Sequence, residues 1–169
     1  MRKNGFSLLE ILAVIAIIGI LASLSAVSFR DLVLRYSIEG QIKELYSDLM
    51  NLRLNAMHRN RTCFLVISTY AYRGYEDSHP SPFGDDALDL SRDNLILPEK
   101  KVKFPFTYGT GDRILFDSRG YSDTNRTICV FSNVNPGYDC LKISRTRISM
   151  GKIKDRTRAC TSDNCEEKE

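Results

Sequence analysis

The chain has 169 residues, a formal net charge of +3 at pH 7 and no tryptophan. This length suits one modest globular domain with an accessory element, and a composition that is 43% hydrophobic excludes a disordered chain. The mild net charge excludes no partner by itself, so an anionic ligand would have to be recognised by a local cluster of cations. The absence of tryptophan argues against a carbohydrate-stacking site.

The segment from Phe6 to Phe29 is apolar and carries a single charge, on Glu10. At about 1.5 Å per residue, a helix of this length spans roughly 36 Å, which is enough to cross a hydrocarbon core of about 30 Å. Arg2 and Lys3 precede it, so the positive-inside tendency places the N-terminus in the cytoplasm and the rest of the chain outside. The apolar run continues into a helical pattern instead of ending at the cleavage site of a secretory signal. We therefore predict a permanent single-pass transmembrane helix over residues 6–29.

Glu10 lies near the start of this apolar segment. At membrane depth an unpaired carboxylate costs about 2.5–3.5 kcal/mol on insertion scales. The position implies one of two arrangements: the carboxylate has a cationic partner, or its side chain reaches the headgroups at the end of the span.

The stretch KNGFSLLEILAVIAIIGILA resembles the type III prepilin signal of type IV pilins and type II secretion pseudopilins. The resemblance implies that prepilin peptidase cuts after Gly5, removing a leader peptide of residues 1–5, and that the new amine of Phe6 is N-methylated. It also implies that Glu10 pairs with the Phe6 amine of a neighbouring subunit when subunits leave the membrane for a filament.

The same resemblance implies the partners and the location of the chain. The partners are other pilin or pseudopilin subunits, which contact it through the N-terminal helix, together with prepilin peptidase and an inner-membrane assembly platform. The location is the bacterial inner membrane, with the C-terminus in the periplasm, and then the pilus or pseudopilus filament.

After Phe29 a second apolar pattern recurs at alternating four- and three-residue steps. Its members are Ile38, Ile42, Leu45, Leu49, Leu52 and Ala56. Such a stripe is typical of an amphipathic helix that packs on a core. We therefore predict that the helix continues through residues 30–60 and that this second half enters the globular domain.

Beyond residue 60 the pattern changes to short runs of β-branched and aromatic residues separated by turn-like sequences. The strand candidates are TCFLVISTYAY (62–72), VKFPFTY (102–108), RILFD (113–117), TICVFSN (127–133) and LKISRTRIS (141–149). Pro105 places the second of these at a sheet edge. The predicted fold class is α+β: a long N-terminal helix, transmembrane in its first half, packs by its second half on an antiparallel β domain over 61–158, and a tail over 159–169 follows.

The segment IKELYSDLMNLRLNAMHRNRTCFLVI, followed by RILFDSRGYS and LKISRTRIS, is similar to the GspH/FimT group of minor pseudopilins and minor pilins. This similarity implies a minor structural subunit of a type IV pilus or of a type II secretion pseudopilus.

Five cysteines in a chain of this size indicate an oxidising compartment if they pair, with one thiol left over. We expect the pairs that are close in sequence, Cys129 with Cys140 and Cys160 with Cys165. In one hairpin register Cys129 and Cys140 face each other at bridging distance. Cys63 is flanked by apolar strand residues and is expected to be a small buried side chain.

The sequence offers little for catalysis. Its two histidines, His58 and His79, fall at a predicted helix end and in a proline-containing loop, and no phosphate-cradling loop or nucleophile elbow is present. The cysteines form no CxxC pair, and the aspartates at 85, 86, 89 and 93 lack the glycine-punctuated loop of calcium sites. We therefore predict that the protein is not an enzyme and has no cofactor and no metal site.

The C-terminal part of the chain is locally basic, with seven cations and one acid between residues 142 and 158. The cations are Lys142, Arg145, Arg147, Lys152, Lys154, Arg156 and Arg158. They form a candidate surface for DNA phosphates; the alternative is a solubilising edge strand whose charge is balanced by the acids of 163–169. SRTR at 144–147 resembles the arginine-rich motif of DNA-binding competence pilins in the FimT group, with Ser144 in place of the leading glycine. DNA binding in natural transformation is therefore the alternative function.

Overall fold

The computed structural model describes residues 7–80 and 84–168, and within 22–28 it describes the helical backbone alone. A single helix, α1, runs from Leu8 to Arg59. It ends at Asn60, which adopts a left-handed conformation with φ 54°, while the backbone N–H of Arg61 donates to the carbonyl of Ala56 at 3.1 Å. Asparagine tolerates this conformation better than most residues, so the chain leaves the helix directly into the sheet region.

In the described part of the chain, nine strands follow the helix. They are β1 (Cys63–Ile67), β2 (Ala71–Glu76), β3 (Asn94–Lys101), β4 (Thr107–Tyr108), β5 (Arg113–Phe116), β6 (Arg126–Cys129), β7 (Cys140–Ile143), β8 (Ile148–Ile153) and β9 (Cys165–Glu167). The strands pair antiparallel in two sheets. The first sheet has the order β3-β2-β1-β5, and the second sheet has the order β4-β6-β7-β8-β9.

The main core lies between the second half of α1 and the two sheets. The apolar stripe of the helix, Ile38 to Ala56, is buried, with no member more than 2% exposed. It packs against inward-facing side chains of both sheets, among them Leu65 and Ile114 of the first sheet and Leu141 of the second. The predicted α+β fold class is confirmed: a long N-terminal helix packs on antiparallel sheet.

Polar contacts fix the helix against the first sheet and the loop that follows it. The hydroxyl of Tyr72 donates to a carboxylate oxygen of Asp48 at 2.7 Å, and the ammonium of Lys100 donates to the same oxygen at 2.8 Å. About two helical turns earlier on α1, the side-chain amide of Gln41 exchanges two hydrogen bonds with the backbone of Phe104, at 2.8 and 3.0 Å. Because these groups are at least partly buried, each hydrogen bond gives a partner to a polar atom that would otherwise be desolvated without one and would destabilise the fold.

The strand predictions differ from the structure at the turns. The predicted strand over 62–72 is a hairpin of β1 and β2, in which the backbone N–H and the hydroxyl of Ser68 both donate to the carbonyl of Ala71. The predicted strand over 141–149 is likewise a hairpin of β7 and β8, in which the hydroxyl of Ser144 contacts the backbone of Arg147. Serine side chains close both turns, and the apolar and β-branched residues around them concealed the breaks.

Two further strand assignments needed correction. Of the predicted strand over 102–108, β4 comprises Thr107 and Tyr108 only, at the edge of the second sheet, because Pro105 has no backbone N–H to donate. The predicted tail over 159–169 contains β9, which pairs with β8 through Gly151, Lys152 and Ile153. The tail is therefore part of the second sheet instead of an appendage to it.

Candidate assembly helix and basic surface

The first half of α1 projects from the globular domain with its apolar side chains exposed. Between Leu8 and Leu21 the large apolar side chains are 51% to 79% exposed: Leu8, Leu9, Ile11, Leu12, Val14, Ile15, Ile17, Ile18, Ile20 and Leu21. A continuous apolar surface of this kind marks a site that contacts lipid or other protein.

Exposed apolar side chains are also found next to the globular domain. Phe29 and Tyr36 are 66% and 64% exposed, and Leu32 and Val33 are 44% exposed, whereas Ile38 is fully buried. Within a few residues, the apolar side chains of the helix thus change from exposed to buried against the sheets of the same chain.

Among the described residues, no helix combines the length and the mean hydropathy of a membrane-spanning segment. The predicted span over 6–29 includes Phe6 and the side chains of 22–28, which lie outside the described part of the chain. The span therefore stays a prediction.

Glu10 lies in the first turn of α1, with its side chain exposed among apolar neighbours. A carboxylate is favoured at this end of a helix by the partial positive charge of the free backbone N–H groups. Glu10 forms no ion pair with any other residue that the structure describes. The predicted processing residues Gly5 and Phe6 lie outside the described residues, so the distance between Glu10 and a Phe6 amine stays untested.

Several cations of the predicted DNA-binding segment already have anionic partners. Lys142 and Arg147 both contact the carboxylate of Glu167, at 3.5 and 3.6 Å, and Arg158 contacts Asp155 at 3.1 Å. Glu167 belongs to β9, so the tail brings its own acid onto the basic strands. This arrangement corresponds to the alternative in which the basic segment is balanced by the acids of the tail.

Arg156 has a structural role inside the domain. Its guanidinium donates to the backbone carbonyls of Ser132 and Val134, and to the carboxylate of Asp139 at 3.0 Å. Asp139 is fully buried and also accepts the backbone N–H of Ile153 at 2.6 Å. Burial raises the pKa of Asp139, while the bond from Ile153 and the charge of Arg156 act in the opposite direction.

The remaining cations are less engaged. Arg145 lies over the ring of Tyr121 at 5.8 Å from its centroid, and Arg119 lies 5.5 Å from the same ring. Lys154 is exposed, and Lys152 is partly buried opposite Glu166 in the β8–β9 pairing. Tyr121 and Arg119 were not among the predicted site residues, although both lie in the segment RILFDSRGYS (113–122) that carries the GspH/FimT resemblance.

Four cysteines form two disulfides, but the expected pairing is wrong. Cys129 bonds to Cys160, and Cys140 bonds to Cys165, with Cα atoms 5.8 and 6.0 Å apart. Cys63 is a free buried thiol, and burial raises its pKa to about 12, so it remains protonated at neutral pH.

The Cys140–Cys165 disulfide joins β7 to β9 across the intervening strand β8, at the position of Gly151. Cys140 on β7 is the register partner of Gly151 on β8, and β9, which carries Cys165, pairs on the other side of β8. A Cβ atom at Gly151 would lie 2.8 Å from the sulfur of Cys165 and 2.5 Å from the carbonyl of Glu166. The missing side chain therefore leaves the space in which the disulfide crosses β8.

The first 26 residues match the family model described as the prokaryotic N-terminal methylation motif. Two solved structures share the fold. One is the type IV minor pilin FimU of Pseudomonas aeruginosa PAO1, with a TM-score of 0.51 and 16% identity over 74% of this chain and 93% of that chain. The other is the minor pseudopilin EpsH from the type 2 secretion system of Vibrio cholerae, with a TM-score of 0.52 and 12% identity over 70% of this chain and 99% of that chain. No curated protein matches in sequence.

The methylation motif and the fold together define a class. The chain is similar to type IV pilin-like proteins: it carries the prokaryotic N-terminal methylation motif over residues 1–26, and its fold is that of a minor pilin and a minor pseudopilin.

Proposed function

We propose that the chain is a minor structural subunit of a type IV pilus or of a type II secretion pseudopilus. In this proposal prepilin peptidase cuts after Gly5, Phe6 is N-methylated, and the segment 6–29 holds the subunit in the inner membrane, with the domain in the periplasm, until the assembly platform adds it to the filament. The observation that carries the proposal is the exposed apolar surface of α1 between Leu8 and Leu21, whose first turn carries the exposed carboxylate of Glu10.

The exposed apolar surface is too costly to leave in water. Burying one Leu, Ile or Val side chain is worth about 1.5–3 kcal/mol, and ten such side chains lie exposed between Leu8 and Leu21. Their burial in lipid or among other helices therefore stabilises the subunit by on the order of 10 kcal/mol or more. Both environments occur in the proposed life of the subunit: first the bilayer, and then the bundle of helices inside a filament.

The free energy of the Glu10 carboxylate differs between these two environments. In the bilayer its carboxylate is unfavourable by about 2.5–3.5 kcal/mol unless it is paired. In a filament the methylated amine of Phe6 from a neighbouring subunit supplies the opposite charge within an apolar surrounding, where charges attract strongly. We infer that this difference helps to draw the subunit from the membrane into the filament.

We expect Glu10→Ala to insert into the inner membrane at the wild-type level but to be lost from filaments. Removing the carboxylate eliminates the cost in lipid and also the attraction to the neighbouring amine, so insertion is retained and docking is not. The measurement is an immunoblot of inner-membrane and sheared-filament fractions from the native host. Glu10→Gln, which keeps the shape of the side chain without its charge, should behave like Glu10→Ala; normal incorporation of either variant would contradict the docking role.

Processing has a separate readout in the mass of the N-terminal peptide. We expect the mature protein to begin at methylated Phe6, because the N-terminal segment matches the methylation motif and resembles a prepilin signal in which the cut would follow Gly5. A mature protein that retains Met1 would contradict the proposed processing, whatever the behaviour of the Glu10 variants.

DNA binding by the basic segment is the alternative function, and the geometry supports it less well. Four of its seven cations contact acids within the same chain, namely Lys142, Arg147, Arg156 and Arg158. Arg145 and Lys154 are the cations best placed to meet phosphates, since Arg145 stacks on the partly exposed ring of Tyr121 and Lys154 is exposed. Two scattered cations make a weak phosphate surface.

We therefore expect the full-length protein in detergent to bind duplex DNA weakly, with little dependence on salt. Each phosphate engaged contributes about −0.9 to the slope of log K against log salt concentration, so one or two contacts give a shallow slope. The measurement is a fluorescence anisotropy titration at several salt concentrations. A slope of about −4 or steeper, reduced by Arg145→Ala, would favour the DNA-binding alternative instead.

A further inference from the structure

The two disulfides of the second sheet are crossed in chain order. Cys129 and Cys140 come first in the chain, and each bonds to a cysteine of the C-terminal tail. The bridges span 31 and 25 residues and interleave. None of these four cysteines is therefore bonded to the one that lies nearest to it along the chain.

Cys129 and Cys140 are not bonded to each other, but they lie within bonding distance in the folded sheet. Cys129 on β6 and Cys140 on β7 are direct register partners, so their side chains lie on the same face of the second sheet. Residues directly opposite in an antiparallel pair have Cα atoms about 4.5–5.5 Å apart. Disulfides need about 4.4–6.8 Å between Cα atoms. Formation of the β6–β7 hairpin alone therefore brings Cys129 and Cys140 to bonding distance.

The lower entropy cost of closing short loops also favours the non-native bridges. Loop-closure entropy rises as about (3/2)RT ln n, so short loops close more often than long ones. By this relation Cys129 meets Cys140 about five times more often than it meets Cys160 in an unfolded chain, and Cys165 meets Cys160 about ten times more often than it meets Cys140. An oxidant that acts before the tail has docked will therefore close the two short loops first.

We propose that the native disulfides form by way of a Cys129–Cys140 and Cys160–Cys165 intermediate, and that a thiol–disulfide isomerase resolves this intermediate. The chain is in this view a client of two reactions in its oxidising compartment. A disulfide-bearing oxidant first takes up two electrons and two protons for each short bridge, and a dithiol isomerase then rearranges the bridges without net oxidation.

The rearrangement balances as three exchanges. A thiolate of the isomerase attacks the sulfur of Cys129, forming a mixed disulfide and releasing Cys140 as a thiolate. The Cys140 thiolate attacks Cys165, which forms the native Cys140–Cys165 bond and releases the Cys160 thiolate. The Cys160 thiolate then attacks Cys129 in the mixed disulfide, which forms the second native bond and returns the isomerase thiolate. Three bonds break and three form, so no electrons are gained or lost.

Packing of the tail supplies the driving force toward the native pairing. Around the native bridges lies a small apolar cluster in which Cys129, Cys140 and Cys165 pack with Ile153, against Phe131 and Cys160. Most of this cluster consists of the bonded cysteines themselves, so the short-loop pairing removes the apolar contacts that hold the tail. In the native form the tail is also held by the pairing of β9 with β8 and by the contact of Glu167 with Lys142 at 3.5 Å.

Cys63 takes no part once the main core has formed. It is fully buried on β1 in the main core, away from the small cluster of the tail. Burial holds its thiol in the protonated, unreactive form. The exchange is therefore confined to the four cysteines of the second sheet.

Trypsin digestion distinguishes the two pairings directly. No lysine or arginine lies between Cys129 and Cys140, or between Cys160 and Cys165, so trypsin releases TICVFSNVNPGYDCLK (127–142) and ACTSDNCEEK (159–168). Native pairing joins these two peptides through two bonds, whereas the short-loop pairing leaves each peptide separate with an internal bond. A second digestion with a protease that cleaves before Asp139 and Asp163 separates the cysteines and identifies each native bond.

The test uses the full chain, reduced, unfolded and then refolded in detergent. It is oxidised either with oxidised glutathione alone or with the same oxidant followed by a purified dithiol isomerase and reduced glutathione. We expect the separate, internally bonded peptides to predominate with oxidant alone and to convert to the joined pair, by at least about five-fold, after the isomerase is added. Native joined peptides in full yield with oxidant alone would overturn the proposal, and so would separate peptides that the isomerase does not convert.

Two matched variants check the mechanism. Cys140→Ala with Cys165→Ala leaves a single native pair, Cys129 and Cys160, and should form its bond with oxidant alone because the competing partners are absent. Cys160→Ala with Cys165→Ala leaves only the short β6–β7 pair and should form that bond readily; failure to form it would show that the proposed intermediate is out of reach. The outcome does not depend on pilus or pseudopilus assembly, so the proposed function and this inference stand or fall separately.

Discussion

Replacing Leu49 with alanine is expected to lower the free energy of unfolding by about 3–5 kcal/mol. Leu49 is fully buried in the middle of the stripe by which α1 packs on both sheets. Alanine removes the transfer free energy of the lost methyl groups and leaves a cavity that a helix held by two sheets cannot close. The loss is to be measured by urea unfolding of the full-length protein in detergent, followed by circular dichroism and tyrosine fluorescence.

Leu54→Ala is the matched control on the same helix. Leu54 is 54% exposed, so the identical substitution leaves no cavity and should change the free energy of unfolding by no more than about 0.5 kcal/mol. Helix propensity changes equally in both variants and cancels from the comparison. Similar losses in the two variants would show that α1 contributes through its own helical stability and not through packing on the sheets.

The part of the fold that could be predicted from sequence is the part encoded by local periodicity. The stripe from Ile38 to Ala56 repeats with the period of an α-helix, and a period of this kind specifies both the helix and its buried face. The prepilin motif was likewise recognisable because its residues are consecutive. The exposed first half of α1 and the position of Glu10 follow from these local patterns.

The hairpins and the tail were not predictable in the same way. Ser68 and Ser144 close tight turns inside runs of strand-forming residues, and a turn formed by one serine side chain leaves little trace in composition. The tail forms β9 by pairing with the edge of β8 that faces away from β7. Pairing with a distant strand is a property of the folded sheet, which local sequence does not contain.

The basic segment illustrates how charge counting can mislead. Seven cations in a short stretch suggested a surface for phosphate, but Arg156 points into the domain and binds the buried carboxylate of Asp139. Asp139 lies in the turn before β7, far enough along the chain that sequence gave no reason to link the two residues. Among the cations of this segment, Arg156 therefore has a role that is set by a non-local contact.

Arg156→Met should accordingly lower the free energy of unfolding by about 3–5 kcal/mol at neutral pH, because it leaves a buried carboxylate without its cation. Methionine fills much of the same volume without the charge. The control is Arg158→Met, which breaks an exposed ion pair to Asp155 and should cause no measurable change. Equal effects of the two substitutions would show that the Asp139 contact contributes nothing beyond that of a surface pair.

The pH dependence of this loss provides a second, independent check. Because burial raises the pKa of Asp139 in the folded protein above its ordinary value of 3.8, ionised Asp139 opposes folding increasingly as the pH rises through the folded pKa. Removing Arg156 takes away a charge that lowers this pKa, so the folded pKa rises further in the variant. The difference in unfolding free energy between Arg156→Met and wild type should therefore be largest near neutral pH and shrink as the pH falls to the ordinary value of 3.8 and below, where the carboxyl becomes protonated in both states. A difference that stays constant over this range would mean that the loss arises from the packing of Arg156 and its bonds to the carbonyls of Ser132 and Val134, and not from the charge of Asp139.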